Sequence, residues 1–305
     1  MKLKKFCMFF ALLAAILLPC SLSSARERAA YVSPDSYAVA QDQVEIKMLN
    51  VGQGDSILVR TAEQTVLIDT SDVDERDKLE SELQKAGVEK LDKVILTHPH
   101  ADHIGGMDVL FGDGYPIGAI YDNGMPSTSR LYRNYMKEAQ ADGIEHYALA
   151  SGDVLDFGDG AVFEVLSPEA ATVQAGQGRS YKHDPNNESV VGRLVYGNFT
   201  MLFTGDAERQ TEASILRNYS ADAVESNVLK SPHHGSSTSS TMPYLKAVRP
   251  DVCLISCGIN NDYGHPHQET LQKYQQIGAD VFVTAQNGTI TVDTDGSEYT
   301  VTTEY

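Results

Sequence analysis

Apolar residues fall into short runs along this chain, and the runs switch repeatedly between a strand-like period of two and a helix-like period near 3.6. Residues 44–51 (VEIKMLNV), 56–61 (SILVRT) and 65–70 (TVLIDT) alternate as strands, the first two joined through Gly52-Gln53-Gly54-Asp55. Residues 75–86 form an amphipathic helix closed by Gly87, and the apolar run 93–96 reads as a short buried strand. A helix from about residue 102 to 110, a strand at 117–123 and a helix at 130–141 follow, with Leu131, Tyr135 and Met136 on one stripe. Short strands at 146–150, 154–157 and 162–166 complete the first half. The second half repeats the alternation, with strands at 189–196, 199–204, 227–231, 252–258 and 281–285 and helices at 208–219, 241–248 and 268–277. Two hairpin strands, 289–293 and 299–303, end the chain. Two halves of this kind, each with a sheet to cover on both faces, predict an α/β architecture. No linker separates them, so residues 43–305 are expected to form one domain.

The first 42 residues do not share this pattern. Residues 1–25 join a basic start, an apolar segment and Ser23-Ser24-Ala25, which predicts a cleaved export signal too short for a lasting membrane span. Pro19 directly before Cys20 argues against lipidation there, and residues 26–42 read as a tether. Export would place the protein outside the cytoplasm. Cleavage would remove Lys2, Lys4 and Lys5 and deepen the net charge from −18 to −21. Such a surface repels polyanions, although salt confines that repulsion to roughly 8 Å. Cys253 and Cys257 lie about 13 Å apart on one apolar strand, too far for a disulfide, and are expected to be buried thiols.

The chemistry is concentrated at strand ends. Thr97-His98-Pro99-His100-Ala101-Asp102-His103 closes the apolar run 93–96, so three imidazoles and a carboxylate leave one strand end together. His98 and His100 suit one metal ion, and Asp102 and His103 suit a second. The donor set favours two divalent ions, zinc first, with manganese or iron also accepted. Asp206, ending another strand after Thr204-Gly205, is placed to bridge two cations. In Lys230-Ser231-Pro232-His233-His234 one imidazole is expected to ligate and the other to serve in acid–base or phosphate contact, with Lys230 attracting phosphate. His265, between Gly264 and Pro266, sits in a turn suited to a ligand, while His267 begins a helix. Asp55 and Asp69 can orient a ligating imidazole or be merely structural, and Glu208 can orient a ligand, hold a cationic headgroup or cap its helix. The Gly-rich segment 170–187, carrying Arg179, Lys182 and His183, reads as a lid touching substrate anions.

The order His-x-His-x-Asp-His after a strand resembles the signature of the metallo-β-lactamase superfamily of hydrolases. With Val51-Gly52-Gln53-Gly54-Asp55-Ser56, Asn186-Asn187-Glu188-Ser189, Thr204-Gly205-Asp206-Ala207-Glu208, His233-His234-Gly235-Ser236 and Tyr263-Gly264-His265-Pro266, it looks like the C-terminal hydrolase domain of the ComEC competence-channel family, over about residues 43–290. The resemblance implies an αββα sandwich, two mixed sheets flanked by helices, with the site between the sheets at the strand ends. It implies that Asp206 bridges, that His265 joins Asp102 and His103 on one metal, and that one of His233 and His234 joins His98 and His100 on the other. The residues expected to ligate are therefore His98, His100, Asp102, His103, Asp206, His234 and His265, and those expected to take part in catalysis are Asp102, His233, His234 and Lys230. Residues 193–196 and 199–203 hold no histidine, so a further histidine usual in the superfamily before Asp206 is not evident. ComEC proteins carry a polytopic membrane channel, and no second apolar stretch of about 20 residues occurs here.

The expected activity is that of an exported, dinuclear metal-dependent phosphodiesterase acting on DNA, single strands in particular, or on another phosphodiester. The choline-phosphate esterases of bacterial surfaces are similar too, through the Asp-x-Glu and His-His arrangement, and supply the alternative of a small-ester hydrolase. A metal-binding module without turnover would need a lost ligand, and none of the core ligands is missing.

Overall fold

The computed structural model describes residues 43–178 and 181–305. The export signal 1–25, the tether 26–42 and Arg179 of the expected lid lie outside the described residues.

In chain order the strands are β1 (Val44–Met48), β2 (Ile57–Arg60), β3 (Thr65–Ile68), β4 (Leu91–Leu96), β5 (Ile117–Asp122), β6 (Glu145–Ala148), β7 (Val154–Gly158), β8 (Ala161–Ser167), β9 (Val191–Tyr196), β10 (Phe199–Phe203), β11 (Val228–Lys230), β12 (Val252–Ile255), β13 (Asp280–Val283), β14 (Ile290–Thr294) and β15 (Tyr299–Thr303). They form an eight-stranded sheet, β15-β14-β1-β2-β3-β4-β5-β6, and a seven-stranded one, β13-β12-β11-β10-β9-β8-β7. Both sheets are mixed. β3 to β6 run parallel in the first, as do β10 to β13 in the second, and the remaining pairs are antiparallel.

Helices α1 (Arg76–Lys85), α2 (Ala101–Ile104), α3 (Met107–Gly112) and α4 (Arg130–Ala141) pack on the outer face of the first sheet. After α5 (Ala170–Gly176), helices α6 (Arg209–Asn218), α7 (Met242–Val248) and α8 (Gln268–Ile277) cover the second sheet, and the short α9 (Thr284–Asn287) follows β13. Strand periodicity explains why three apolar layers result. In β4, Ile95 faces the core between the sheets while Val94 and Leu96 face the helices. The inter-sheet layer takes Val44, Ile46 and Met48 from one sheet and Phe163, Leu194 and Met201 from the other. Each such side chain contributes about 1.5–3 kcal/mol by leaving water. This is the expected αββα sandwich.

The expected helix over 102–110 is broken in two. Gly105 and Gly106 run against the loop 70–73: a Cβ on Gly105 would lie 2.4 Å from Val73 N, and one on Gly106 2.2 Å from Thr70 O. The glycines therefore admit a neighbouring loop. The segment read as a lid contains α5 and a 3-10 turn at Asn186–Glu188. Cys253 and Cys257 are buried free thiols. Among the described residues, no helix is long and apolar enough to cross a membrane.

Candidate metal centre

The parallel strands deliver the polar residues to one edge of the sandwich. Asp69 follows β3, Thr97 to His103 follow β4, Asp206 follows β10, His233 and His234 follow β11, and the loop bearing His265 follows β12. Asp206 lies at the middle, 2% exposed. Its Oδ1 stands 3.2 Å from His103 Nε2 and 3.5 Å from His234 Nε2, while its Oδ2 stands 3.6 Å from His233 Nε2 and 3.9 Å from His98 Nε2. Two groups can therefore hold a cation through this one carboxylate: Asp102, His103, Asp206 and His234, and His98, His100 and Asp206.

Hydrogen bonds behind the cluster aim it. Asp69 Oδ2 accepts from His103 Nδ1 at 2.7 Å and from Thr97 Oγ1 at 2.8 Å, and its Oδ1 accepts from Thr97 N at 2.7 Å. Donation from Nδ1 directs the lone pair on His103 Nε2 to the centre. His234 Nδ1 donates to Ser256 O at 3.0 Å with the same result. His98 Nε2 and His100 Nδ1 lie 2.9 Å apart, as two donors to one ion would. His233 and His234 both adopt left-handed backbone, φ 52° each, a conformation that a bulky residue enters only where its surroundings require it. That turn sends the two adjacent imidazoles to opposite oxygens of Asp206.

The residues fit a pair of cations. His103 Nε2, His234 Nε2 and Asp206 Oδ1 are buried without a hydrogen bond. Each such atom costs about 1–3 kcal/mol unless something takes its lone pair. The electrostatics ask for positive charge too. Burial opposes the imidazolium of His103, but Asp206, Asp69 and Asp102 outweigh it and raise its pKa well above the ordinary value. His234 is raised in the same way, by Asp206 and Asp55 against burial. Burial pushes the Asp206 carboxyl up, yet His234 and His103 hold it well below the usual range. His98, where burial is joined by repulsion from His103, stays well below the histidine value.

Several residues sit elsewhere than the sequence placed them. His234, not His265, stands beside Asp102 and His103, its Nε2 3.3 Å from Asp102 Oδ2. The His265 ring lies 5.6 Å from that of His233 and 6.0 Å from that of His234, outside both groups, although its Nδ1 is enclosed and unpartnered. His233, with 21% of its side chain exposed, reaches the Oδ2 side, and its Nδ1 stands 3.2 Å from Glu208 Oε1. Glu208 thus faces His233 and makes no side-chain cap to α6. Lys230 is 1% exposed; its ammonium pairs with Asp55 and donates to Gly205 O at 3.0 Å, so it lies behind the centre with no surface for a substrate phosphate. His183 turns away to Glu188, 3.2 Å distant. The Asp55–Lys230 pair and the partnership of Asp69 with Thr97 were not resolved from sequence. The one available signal was a lysine ending the apolar strand Val228-Leu229-Lys230, where an ammonium needs a carboxylate.

Comparison with known proteins agrees with this fold. Residues 49–258 match the family model described as the metallo-beta-lactamase superfamily. ComE operon protein 3 of Bacillus subtilis (strain 168) is 32% identical over 83% of this chain and 33% of its own length. Competence protein ComA of Neisseria gonorrhoeae is 32% identical over 86% of this chain and 34% of its own length. The chain thus spans about a third of the length of these curated relatives. Among solved structures, the metallo-beta-lactamase fold protein YhfI from Bacillus subtilis superposes with a TM-score of 0.50 at 13% identity, covering 78% of this chain and 96% of that one.

Proposed function

Because the chain belongs to the metallo-β-lactamase superfamily and is a metal-dependent hydrolase, we propose that it hydrolyses phosphodiesters with two divalent ions, zinc or manganese. The observation that carries this reading is the Asp206 carboxylate, whose two oxygens face separate groups of imidazoles. Cations held by these two groups would suit an in-line displacement at phosphorus, where attacking and leaving oxygens both need charge neutralised. Asp102, His103, Asp206 and His234 would hold one ion, and His98, His100 and Asp206 the other. Bound there, they would supply Lewis-acid activation of water and neutralise the phosphoryl oxygens. His233 has the exposed surface that His234 lacks, and it presents Nε2 to the leaving oxygen while Glu208 steadies Nδ1. Asp69, Thr97 and Ser256 keep the ligand rings from turning.

The likeness to competence proteins favours DNA as the phosphodiester. The net charge of −18 favours weak, salt-insensitive contact with duplex, since few phosphates would be neutralised. Elemental analysis of protein purified without chelator should find two zinc or manganese ions per chain, and a small activated phosphodiester should be cleaved until chelator is added. Trace metal with no uptake on reconstitution would refute the dinuclear centre. Failure on single-stranded DNA and every small phosphodiester, alongside cleavage of a lactone or thioester, would refute the phosphodiester assignment. Export belongs to the same proposal and is supported by the pattern of residues 1–25. N-terminal sequencing of the extracytoplasmic protein should begin near residue 26; full-length chain confined to the cytosol would refute it.

A further inference from the structure

The loop between β12 and α8 carries a feature the metal centre does not use. Of the four large hydrophobic side chains exposed among the described residues, two lie in it, Ile259 at 72% and Tyr263 at 65%. The loop holding them out is braced. Asn261 Nδ2 donates to Gly258 O at 3.0 Å and His265 O at 2.7 Å, and its Oδ1 accepts from His265 N at 2.9 Å. At its base, Ser256 Oγ donates to Gly54 O at 2.6 Å and Gly258 N to Gln53 Oε1 at 3.2 Å. The Tyr263 ring lies almost parallel to that of His265, 17° apart with centroids at 5.6 Å, and His265 is next to His233 and His234. A rigid aromatic face therefore stands in water one ring beyond the imidazoles that surround Asp206.

Resting on the phosphodiesterase reading, we infer that Tyr263 is the stacking platform for the nucleobase beside the cleaved phosphodiester, so that the substrate is a strand or nucleotide with an unpaired base. Stacking on one aromatic face is indifferent to sequence, because every base has a π-face. In a duplex those faces are covered by neighbouring pairs, so the platform separates single strands from double. Such a contact supplies binding energy that does not depend on charge, which suits an acidic chain whose Lys230 ammonium is spent on Asp55. A quaternary-ammonium headgroup would call for a cage of several rings. The loop supplies Tyr263 and the aliphatic Ile259, and Glu208 is engaged by His233 and Asn186.

The experiment compares wild type, Tyr263→Ala and Tyr263→Trp on a single-stranded oligothymidylate and on an abasic strand of equal length. Binding is read by anisotropy, and stacking by quenching of a 2-aminopurine placed in the strand. Tyr263→Ala should weaken binding of the base-bearing strand and raise its KM about 5- to 150-fold. It should change the abasic strand less than twofold, and Tyr263→Trp should restore both affinity and quenching. Equal effects on the two strands, no effect on either, or a wild type that binds neither would overturn the inference. If base-dependent binding and quenching hold while no version cleaves a phosphodiester, the proposed reaction fails and the platform stands.

Discussion

Lys230 is where the structure and the sequence assign different work, and one substitution separates them. Its ammonium lies within the protein, paired with an Asp55 carboxylate that is itself 1% exposed. Burial pushes the Asp55 carboxyl up, but Lys230 and then His234 and His103 bring it down to about 2. Lys230→Met keeps the length and the apolar stem and removes the charge, leaving Asp55 with the His234 ring at 3.4 Å. Breaking a buried pair in this way costs about 3–5 kcal/mol, because an uncompensated charge stays inside. That is a large share of the roughly 5–15 kcal/mol holding a typical domain. At roughly 2–4 °C per kcal/mol for a domain of this size, Tm should fall by about 6–20 °C. Thermal and urea unfolding in chelator keep metal linkage out of the measurement. Asp55→Asn combined with Lys230→Met removes both charges and should recover most of the loss. A Lys230→Met protein within about 1 kcal/mol of wild type whose KM for a phosphodiester rises would refute this reasoning and return Lys230 to the substrate contact its sequence position suggested.

Other expectations follow from the same geometry. Asp206→Ala should abolish turnover and lose both ions by elemental analysis while circular dichroism stays native; retention of two ions would show that the carboxylate is not shared. His183→Ala should keep both ions, because its ring is committed to Glu188. The hydrogen bond from His146 Nε2 to Asp122 Oδ2 at 2.8 Å outweighs burial and raises the His146 pKa above 6.5. A group bound more tightly to its proton when folded stabilises below the unfolded pKa and loses that contribution as pH rises through the folded one. His146→Gln should therefore destabilise most near pH 5.5 and least near pH 9 in denaturant titrations; a gap that widens with pH would contradict the pairing.

Sequence by itself determined the architecture and the chemistry of the centre. Period-two runs bounded by turns define strands wherever they fold, so the layers were readable, and His98, His100, Asp102, His103 and Asp206 were readable as candidate ligands because so many polar donors at strand ends demand a partner. Tertiary structure decided how the ligands divide. Which group of candidate ligands His234 joins depends on the direction of its side chain, and that direction comes from a left-handed backbone. It also decided which way the undecided residues fell. Asp69 became the aiming carboxylate of His103 because β3 and β4 are parallel neighbours, placing its side chain against Thr97. Lys230 became an internal cation because β11 lies between β10 and β12, where its ammonium meets Asp55 from a loop 175 positions earlier in the chain. Local pattern specifies which groups need a partner; only packing of distant segments specifies which partner they receive.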